Sequence, residues 1–155
     1  MSTLTFLGCG TLGTAILSGI LDALSSGDAS PPPNCPTTFT ACVRRAVSAD
    51  RIRDSLPKTS HTVKLLAGDN VAGVKAADII LLGCKPYMCS GVLMADGMKE
   101  ALEGKVLISI CAGVKVDQLR EMCPESTRVI RVMPNTAAKV GGNGGKGKER
   151  RLTNA

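Results

Sequence analysis

The sequence predicts an α/β fold: a Rossmann-type doubly wound parallel sheet with helices on both faces. Short apolar runs alternate along the chain with segments of helical periodicity, five or six times over, and a glycine-rich segment at residues 8–13 directly follows the first run. Strands that alternate with helices form one parallel sheet, because right-handed crossovers place successive strands side by side. We therefore expect a single dinucleotide-binding domain over residues 1–140, followed by a disordered Gly/Lys/Arg-rich tail over residues 141–155.

Each element is predicted from its apolar pattern and its end signals. Apolar runs that end at glycine, proline or arginine are typical of buried parallel strands, and the predicted strands are residues 4–7, 39–43, 62–66, 79–82, 106–110 and 129–133. Apolar residues at three- and four-residue steps indicate helices, and the predicted helices are residues 11–24, 48–56, 71–77, 92–102 and 116–122. Gly97 is a weak point of the fourth of these helices. A proline-rich loop at residues 28–38 precedes the second strand, and its consecutive prolines predict extended backbone.

Composition and charge exclude several classes of protein. Hydrophobic residues make up 44% and charged residues 21% of the 155, which is ordinary for a folded domain. Three aromatic residues cannot form the stacking platforms of single-strand binding, and no apolar run is long enough to span a membrane. Half of the net charge of +6 lies in residues 141–155, so it is poor evidence for nucleic-acid binding. We expect no nucleic-acid or membrane partner, and a cytoplasmic location because no targeting peptide fits before the first strand.

The seven cysteines predict reduced thiols rather than a disulfide framework. Their number is odd, and no secretory signal precedes them. No Cys-x-x-Cys pair occurs, and His61 is the only histidine. Because four ligands at usable spacing are not visible, no metal site is expected.

The clearest motif is Gly-x-Gly-x-x-Gly, formed by Gly8, Gly10 and Gly13. It follows a predicted strand and opens a predicted helix, the setting in which this motif binds a dinucleotide. There Gly8 permits a tight turn, Gly10 lets the backbone approach a pyrophosphate, and Gly13 allows helix and strand to pack closely. The N–H groups and dipole at the helix start then favour the anion. The alternative is a plain glycine turn between a strand and a helix.

The end of the second predicted strand favours NADP(H) over NAD(H). An acid usually stands there in NAD enzymes to bind the ribose 2′-hydroxyl. Here the strand ends at Arg44 and Arg45, and no acid occurs before Asp50. A guanidinium can form a bidentate pair with a 2′-phosphate, which an acid would repel. The alternative is a solvated pair of arginines.

Four more loops follow predicted strands, at residues 69–70, 83–86, 110–113 and 134–136. Ligands of open α/β sheets bind beyond the carboxyl ends of the strands. Each loop alone is equally consistent with an ordinary turn. Together with the glycine motif, they support one binding edge that accepts the nicotinamide half of the cofactor.

Four phrases of the sequence occur in the order and spacing of a known enzyme family. They are Phe-Leu-Gly-Cys-Gly-Thr-Leu-Gly, Cys-Lys-Pro, Ile-Ser-Ile-Cys-Ala-Gly-Val and Arg-Val-Met-Pro-Asn-Thr, and the last is the most specific. On these phrases the chain resembles pyrroline-5-carboxylate reductase over residues 4–141. The resemblance implies a two-domain enzyme that makes proline with NAD(P)H and whose amino-terminal domain binds the cofactor.

The resemblance also implies contacts with the cofactor, position by position. Together with Gly13 and Arg45 from the motif and the strand end, the expected cofactor-binding residues are Leu7, Gly8, Cys9, Gly10, Thr11, Leu12, Arg44, Asn70, Gly83, Cys84, Lys85, Pro86, Ile110, Cys111 and Ala112. Asn135 would lie near the nicotinamide and the substrate. Lys85 is a candidate for contact with the cofactor or the substrate carboxylate, the alternative being that Pro86 shapes the turn while Lys85 faces solvent. No catalytic residue is assigned.

The chain departs from the family after residue 141. Similar enzymes continue into a helical domain that dimerises and supplies most substrate contacts, and residues 142–155 resemble none of it. One hypothesis is that this tail is translated intron or a misplaced gene-model boundary. The other is a short isoform with a basic tail.

The reaction implied by the resemblance is hydride transfer to a cyclic imine carboxylate. A protonated imine is already electrophilic, so the protein mainly orients the two partners and excludes water. This agrees with a sequence that shows no His–Asp or paired-carboxylate arrangement. Two functions remain open: NADPH-dependent reduction of 1-pyrroline-5-carboxylate, of which the chain holds the cofactor half, or NADP binding without turnover.

Overall fold

A computed structural model describes residues 2–27, 30–56, 58 and 63–133. These residues form a six-stranded parallel sheet with the order β3-β2-β1-β4-β5-β6. The strands are β1 (Thr3–Leu7), β2 (Thr38–Val43), β3 (Val63–Ala67), β4 (Ile79–Leu82), β5 (Val106–Ser109) and β6 (Arg128–Arg131). The predicted doubly wound parallel sheet is confirmed. The predicted tail, residues 141–155, lies outside the described residues.

Six α-helices connect the strands in the described part of the chain. They are α1 (Thr11–Ser25), α2 (Ala46–Ser55), α3 (Asn70–Lys75), α4 (Cys89–Leu93), α5 (Met98–Leu102) and α6 (Val116–Met122), with a 3₁₀ turn at Pro86–Met88 before α4. The prediction of one helix over residues 92–102 is wrong. Gly97 adopts a left-handed conformation with φ of 81° and forms the N-cap of α5, so the helical hydrogen-bond pattern restarts there.

The sheet is covered by helices on both faces, and each face has its own core. Leu4 and Phe6 of β1 pack with the apolar side chains of α1 and α2, whereas Leu7 packs with those of α3 to α6. The change of face follows from the strand order, because the chain winds outward from β1 to β3 and then crosses to β4 on the other side of β1. Right-handed crossovers in opposite directions place their helices on opposite faces. The carboxyl ends of β1 and β4 therefore flank the point where ligands bind in such sheets.

Helix α3 lies unusually close to the sheet. A Cβ placed on Gly73 would overlap the Sγ of Cys42 in β2. The hydroxyl of Thr5, buried in β1, donates a hydrogen bond of 3.0 Å to the Gly73 carbonyl oxygen. Glycine at this helical position thus sets the distance between α3 and the sheet.

The proline-rich loop contains a turn, so the prediction of extended backbone throughout the loop is wrong for this part. The Cys35 N–H donates a hydrogen bond of 2.9 Å to the Pro32 carbonyl oxygen. The Thr37 N–H donates one of 3.0 Å to the carbonyl oxygen of Ser2, the residue just before β1. The loop is therefore anchored to the sheet where β2 begins. Within the described residues, no helix combines the length and apolarity needed to cross a bilayer.

Candidate functional site

The glycine loop after β1 presses against the loop after β4. Gly8 has a φ of 74°, and a Cβ on it would lie 2.7 Å from the backbone nitrogen of Cys84. The Gly83 N–H donates a hydrogen bond of 2.8 Å to the Leu7 carbonyl oxygen. Both the backbone conformation and the lack of space require glycine at position 8. The tight turn predicted there is present.

The N-terminus of α1 is open and positively polarised. Gly10 is its N-cap and supplies no side-chain hydrogen bond, and the first turn carries no acidic residue. No atom of the described chain lies within 4 Å of the place a Gly10 Cβ would occupy. The unpaired N–H groups of the first turn and the helix dipole attract an anion. The residues present therefore fit a pyrophosphate at this position.

Thr14 and Gly13, both in the first turn of α1 or just after it, contact the glycine loop. The Thr14 hydroxyl donates to the Gly10 carbonyl oxygen at 2.7 Å. A Cβ on Gly13 would lie 3.6 Å from the Cys9 Sγ, an ordinary van der Waals distance. The close helix–strand packing predicted for Gly13 therefore leaves room for an alanine at this position.

A cleft of about 340 Å³ lies between the start of α1 and one face of α2. Its lining residues are Cys9, Gly10, Thr11, Thr14, Ser48, Arg51, Ile52 and Ser55. Arg51 brings a cation to the glycine loop and was not among the predicted site residues. The sequence signal for its position is the spacing of Ser48, Arg51 and Ser55, which places the three residues along one face of α2.

Arg44 and Arg45 lie where they were predicted, at the carboxyl end of β2. Both are exposed, and Arg45 is the N-cap residue of α2. Neither forms an ion pair with a described residue, whereas Asp50 is paired with Arg53 at 2.7 Å. The end of β2 therefore presents two guanidinium groups.

The remaining predicted positions meet at the same edge of the sheet. Asn70 is the first residue of α3, which is capped by the Asp69 carboxylate accepting from the Ala72 N–H at 3.1 Å. Lys85 is exposed and precedes the 3₁₀ turn at Pro86. Beyond β5, the Ile110 N–H donates to the Leu82 carbonyl oxygen at 3.0 Å, and Ala112 is exposed. Asn135 lies outside the described residues.

Three cysteines cluster beneath this edge. The Sγ of Cys89 lies 3.5 Å from the Sγ of Cys84 and 3.5 Å from that of Cys111. Cys89 and Cys111 are buried, whereas Cys84 is half-buried. The sequence predicts Cys84 and Cys111 in separate loops, and the five-residue spacing of Cys84 and Cys89 does not predict that Cys89 lies between them in the fold.

Hydrogen bonds within the cluster polarise the three thiols. Hydrogen bonds from Cys84 and Cys89 lower the pKa of the Cys111 thiol to about 6. The hydrogen bond with Cys111, followed by burial, raises the pKa of Cys84, and burial raises that of Cys89 to about 11. Within this cluster, hydrogen bonds between the sulfurs therefore favour the charged form of Cys111 and disfavour that of Cys84. Outside the cluster, burial raises the pKa of Cys9, where a hydrogen bond with Thr14 opposes it.

Comparison with known proteins assigns the chain to a family. The profile of the family described as "NADP oxidoreductase coenzyme F420-dependent" matches residues 3–113. That stretch runs from β1 through the glycine loop, the arginine pair and the loop after β5. The chain belongs to this family.

Relatives of this family member include enzymes named pyrroline-5-carboxylate reductase. It is 43% identical to the one from Lophium arboricola over 89% of this chain and 49% of that protein. It is 45% identical to the one from Neurospora crassa over 89% of this chain and 50% of that protein. The resemblance read from the four phrases is confirmed. The chain spans about half the length of the curated relatives it matches.

A solved structure supports the same assignment. Plasmodium falciparum pyrroline carboxylate reductase, crystallised with NADP bound, matches with a TM-score of 0.61 and 27% identity. The match covers 86% of this chain and 42% of that one. The fold described above is therefore shared with a protein that holds NADP.

Proposed function

We propose that this chain binds NADP(H) and forms the cofactor half of an enzyme that reduces 1-pyrroline-5-carboxylate to L-proline. The start of α1 carries the proposal: Gly10 leaves open space at an uncapped helix N-terminus, beside the centre of the sheet. A pyrophosphate placed there receives backbone N–H groups without displacing a side chain. The relatives named as reductases and the NADP-bound Plasmodium structure support the same reading.

Preference for NADPH over NADH is assigned to the arginines. Arg44 and Arg45 stand at the end of β2, where the ribose of a dinucleotide lies in this fold. Arg51 lines the adjoining cleft and adds a third cation. A 2′-phosphate can pair with guanidinium groups, and no acid at the strand end repels it.

The nicotinamide half is assigned to the loops after β4 and β5. Gly83 packs so close to the glycine loop that a Cβ on it would lie 3.2 Å from the Gly8 carbonyl oxygen. The small residues in the loops at residues 83–86 and 110–112 thus leave space above the sheet edge for the nicotinamide. Lys85 is exposed beside it and is the candidate contact for a carboxylate. Asn135 remains a proposal from the family resemblance.

The reaction requires little from the protein beyond positioning the cofactor and the substrate. When bound, reduced nicotinamide supplies a hydride to the imine carbon, and the C=N electron pair moves to the nitrogen, which already carries its proton. Residues of this chain hold the cofactor at its pyrophosphate and ribose, and they fix the edge on which the two partners meet. The substrate is a small cyclic imine carboxylate. The family resemblance implies that most substrate contacts and homo-oligomerisation belong to a further domain that this chain does not span.

A second function is NADP(H) binding without turnover. One observation favours it: the apolar residues Ile130 and Val132, in and after β6, are 47% and 44% exposed. Apolar residues on one face of an edge strand are normally covered by another part of the protein. In this reading the described residues provide the cofactor site and no surface that holds the imine.

One experiment separates these functions. The chain is titrated with NADPH by calorimetry and then assayed for proline formation from the cyclic imine. Binding with turnover supports the reductase, and binding without turnover supports the second function. If NADPH does not bind, both proposals fail.

A further inference from the structure

The cluster of Cys84, Cys89 and Cys111 has no part in the proposed hydride transfer. Its three Sγ atoms all lie within 4.8 Å of one another. They come from three different places: the loop after β4, the first residue of α4 and the loop after β5. Within the described residues, it is the one group of three or more metal-ligating side chains this close together.

We propose that Cys84, Cys89 and Cys111 form a binding site for one thiophilic metal ion of the Zn²⁺ class. Three cysteine sulfurs from separate elements lie within 4.8 Å of one another, and such an ion is bound by sulfur ligands grouped in this way. Soft sulfur ligands select zinc and similar ions over magnesium or calcium.

The distances in the cluster suit this ion. Zinc–sulfur bonds are about 2.3 Å long, so two thiolates on a tetrahedral ion lie about 3.8 Å apart. The two Sγ separations of 3.5 Å at Cys89 differ from that value by a few tenths of an ångström. Small rotations of the side chains are enough to receive the ion. The same 3.5 Å is far longer than a disulfide bond of about 2.05 Å, so the sulfurs remain available as ligands.

The surroundings hold the ligands in place. The Cys111 N–H donates to the Ser109 hydroxyl at 3.2 Å, which fixes the turn after β5. Cys89 begins α4 and is 1% exposed, so its sulfur is packed into the core. The half-buried Cys84 is then the ligand on the solvent side, where an ion would enter.

Three protein ligands leave a fourth position open. In a zinc site with three protein ligands, that position is filled by water or by an exogenous ligand. We therefore expect an exchangeable site, weaker than a structural site with four cysteines. The ordinary alternative is contact between packed thiols that binds no metal.

The test is a titration of the full chain, reduced and free of metal, with Cd²⁺ as a spectroscopic substitute for Zn²⁺. Wild type is expected to bind one Cd²⁺ with the ultraviolet thiolate-to-cadmium absorption of three sulfurs. Cys84→Ser removes one ligand from a half-buried loop position and is expected to weaken binding about tenfold or more, with loss of about a third of the absorption. The matched control is Cys123→Ser, a half-buried cysteine outside the cluster, which should bind like wild type.

The proposal is overturned by either of two results. One is that wild type shows no thiolate absorption with Cd²⁺. The other is that Cys84→Ser, shown to be folded by circular dichroism, binds Cd²⁺ as tightly and with the same absorption as wild type. Because no nucleotide is present in the titration, its outcome is independent of NADPH binding.

Discussion

Gly8 and Cys84 are in such close contact that a Cβ on Gly8 would lie 2.7 Å from the Cys84 backbone nitrogen. This contact joins the glycine loop after β1 to the loop after β4. The loop proposed to bind the pyrophosphate therefore contacts the loop that carries Cys84 of the three-cysteine cluster. A change at Gly8 is expected to affect both loops.

Gly8→Ala should destabilise the fold strongly. The new side chain requires a left-handed backbone with φ of 74° and overlaps backbone atoms that cannot rotate away. We expect the free energy of unfolding to fall by about 2–4 kcal/mol, as measured by urea denaturation. Gly27→Ala is the matched control, because its φ is 66° but no described atom lies within 4 Å. It should lose only about 1–2 kcal/mol, and equal losses in the two variants would show that the contact with Cys84 is unimportant.

Gly73→Ala tests the close approach of α3 to the sheet. The added methyl group overlaps the Cys42 Sγ and lies 3.3 Å from the Cγ2 of Thr5. Overpacking of this kind costs about 1–3 kcal/mol in the free energy of unfolding. Gly19→Ala, in α1, meets no described atom within 4 Å and should instead stabilise by about 0.5–1 kcal/mol, as alanine does in a helix. A stabilised Gly73→Ala variant would contradict the packing described for α3.

Arg44→Glu combined with Arg45→Glu tests how the cofactor is selected. The ratio of NADPH to NADH affinity should fall about tenfold to a hundredfold, because charge-assisted hydrogen bonds to the 2′-phosphate are replaced by repulsion. Calorimetric titration with each cofactor measures this ratio. The control is Lys99→Glu with Arg120→Glu, which makes the same change of charge at exposed positions in α5 and α6. An unchanged ratio in the Arg44/Arg45 variant would remove the arginines from cofactor selection.

The buried thiol of Cys42 predicts a loss of stability at alkaline pH. Burial, reinforced by the charge of Asp69, raises its pKa from 9.0 to about 11. A pKa that is raised on folding contributes stability that is fully present below about pH 9 and is lost as the pH rises towards 11. This thiol should lower the free energy of unfolding by at most about 1.4 kcal/mol per pH unit in that window. Urea denaturation of Cys42→Ala should give a shallower slope than wild type, and identical slopes would contradict the prediction.

Most of the fold was predictable because its signals are local. Apolar runs such as residues 79–82 and the glycine motif at residues 8–13 identify strands and one helix start without any long-range information. Gly97 was predicted only as a weak point of one helix, because the apolar periodicity continues across it although the helical backbone is interrupted there. A single glycine is tolerated in helices often enough that its presence does not predict an interruption.

Parts of the site were less predictable because they depend on packing between distant elements. The sequence identifies the loops at the sheet edge, since each follows a strand. It does not show that Arg51 faces the glycine loop, which depends on how α2 packs beside α1. Nor does it show that Cys89 meets Cys111, 22 residues further along the chain.

A dinucleotide pyrophosphate is proposed to bind at the open N-terminus of α1, and the Gly10→Ala variant probes this position. The methyl group occupies space that is empty in the protein, so the free energy of unfolding should change by less than about 1 kcal/mol. The same methyl group stands where the pyrophosphate approaches the backbone. We predict that calorimetry shows NADPH binding to wild type and binding at least about tenfold weaker to Gly10→Ala, a loss of about 1.4 kcal/mol. Equal NADPH affinity of the two proteins, or no binding to wild type, would rule out a pyrophosphate at the start of α1.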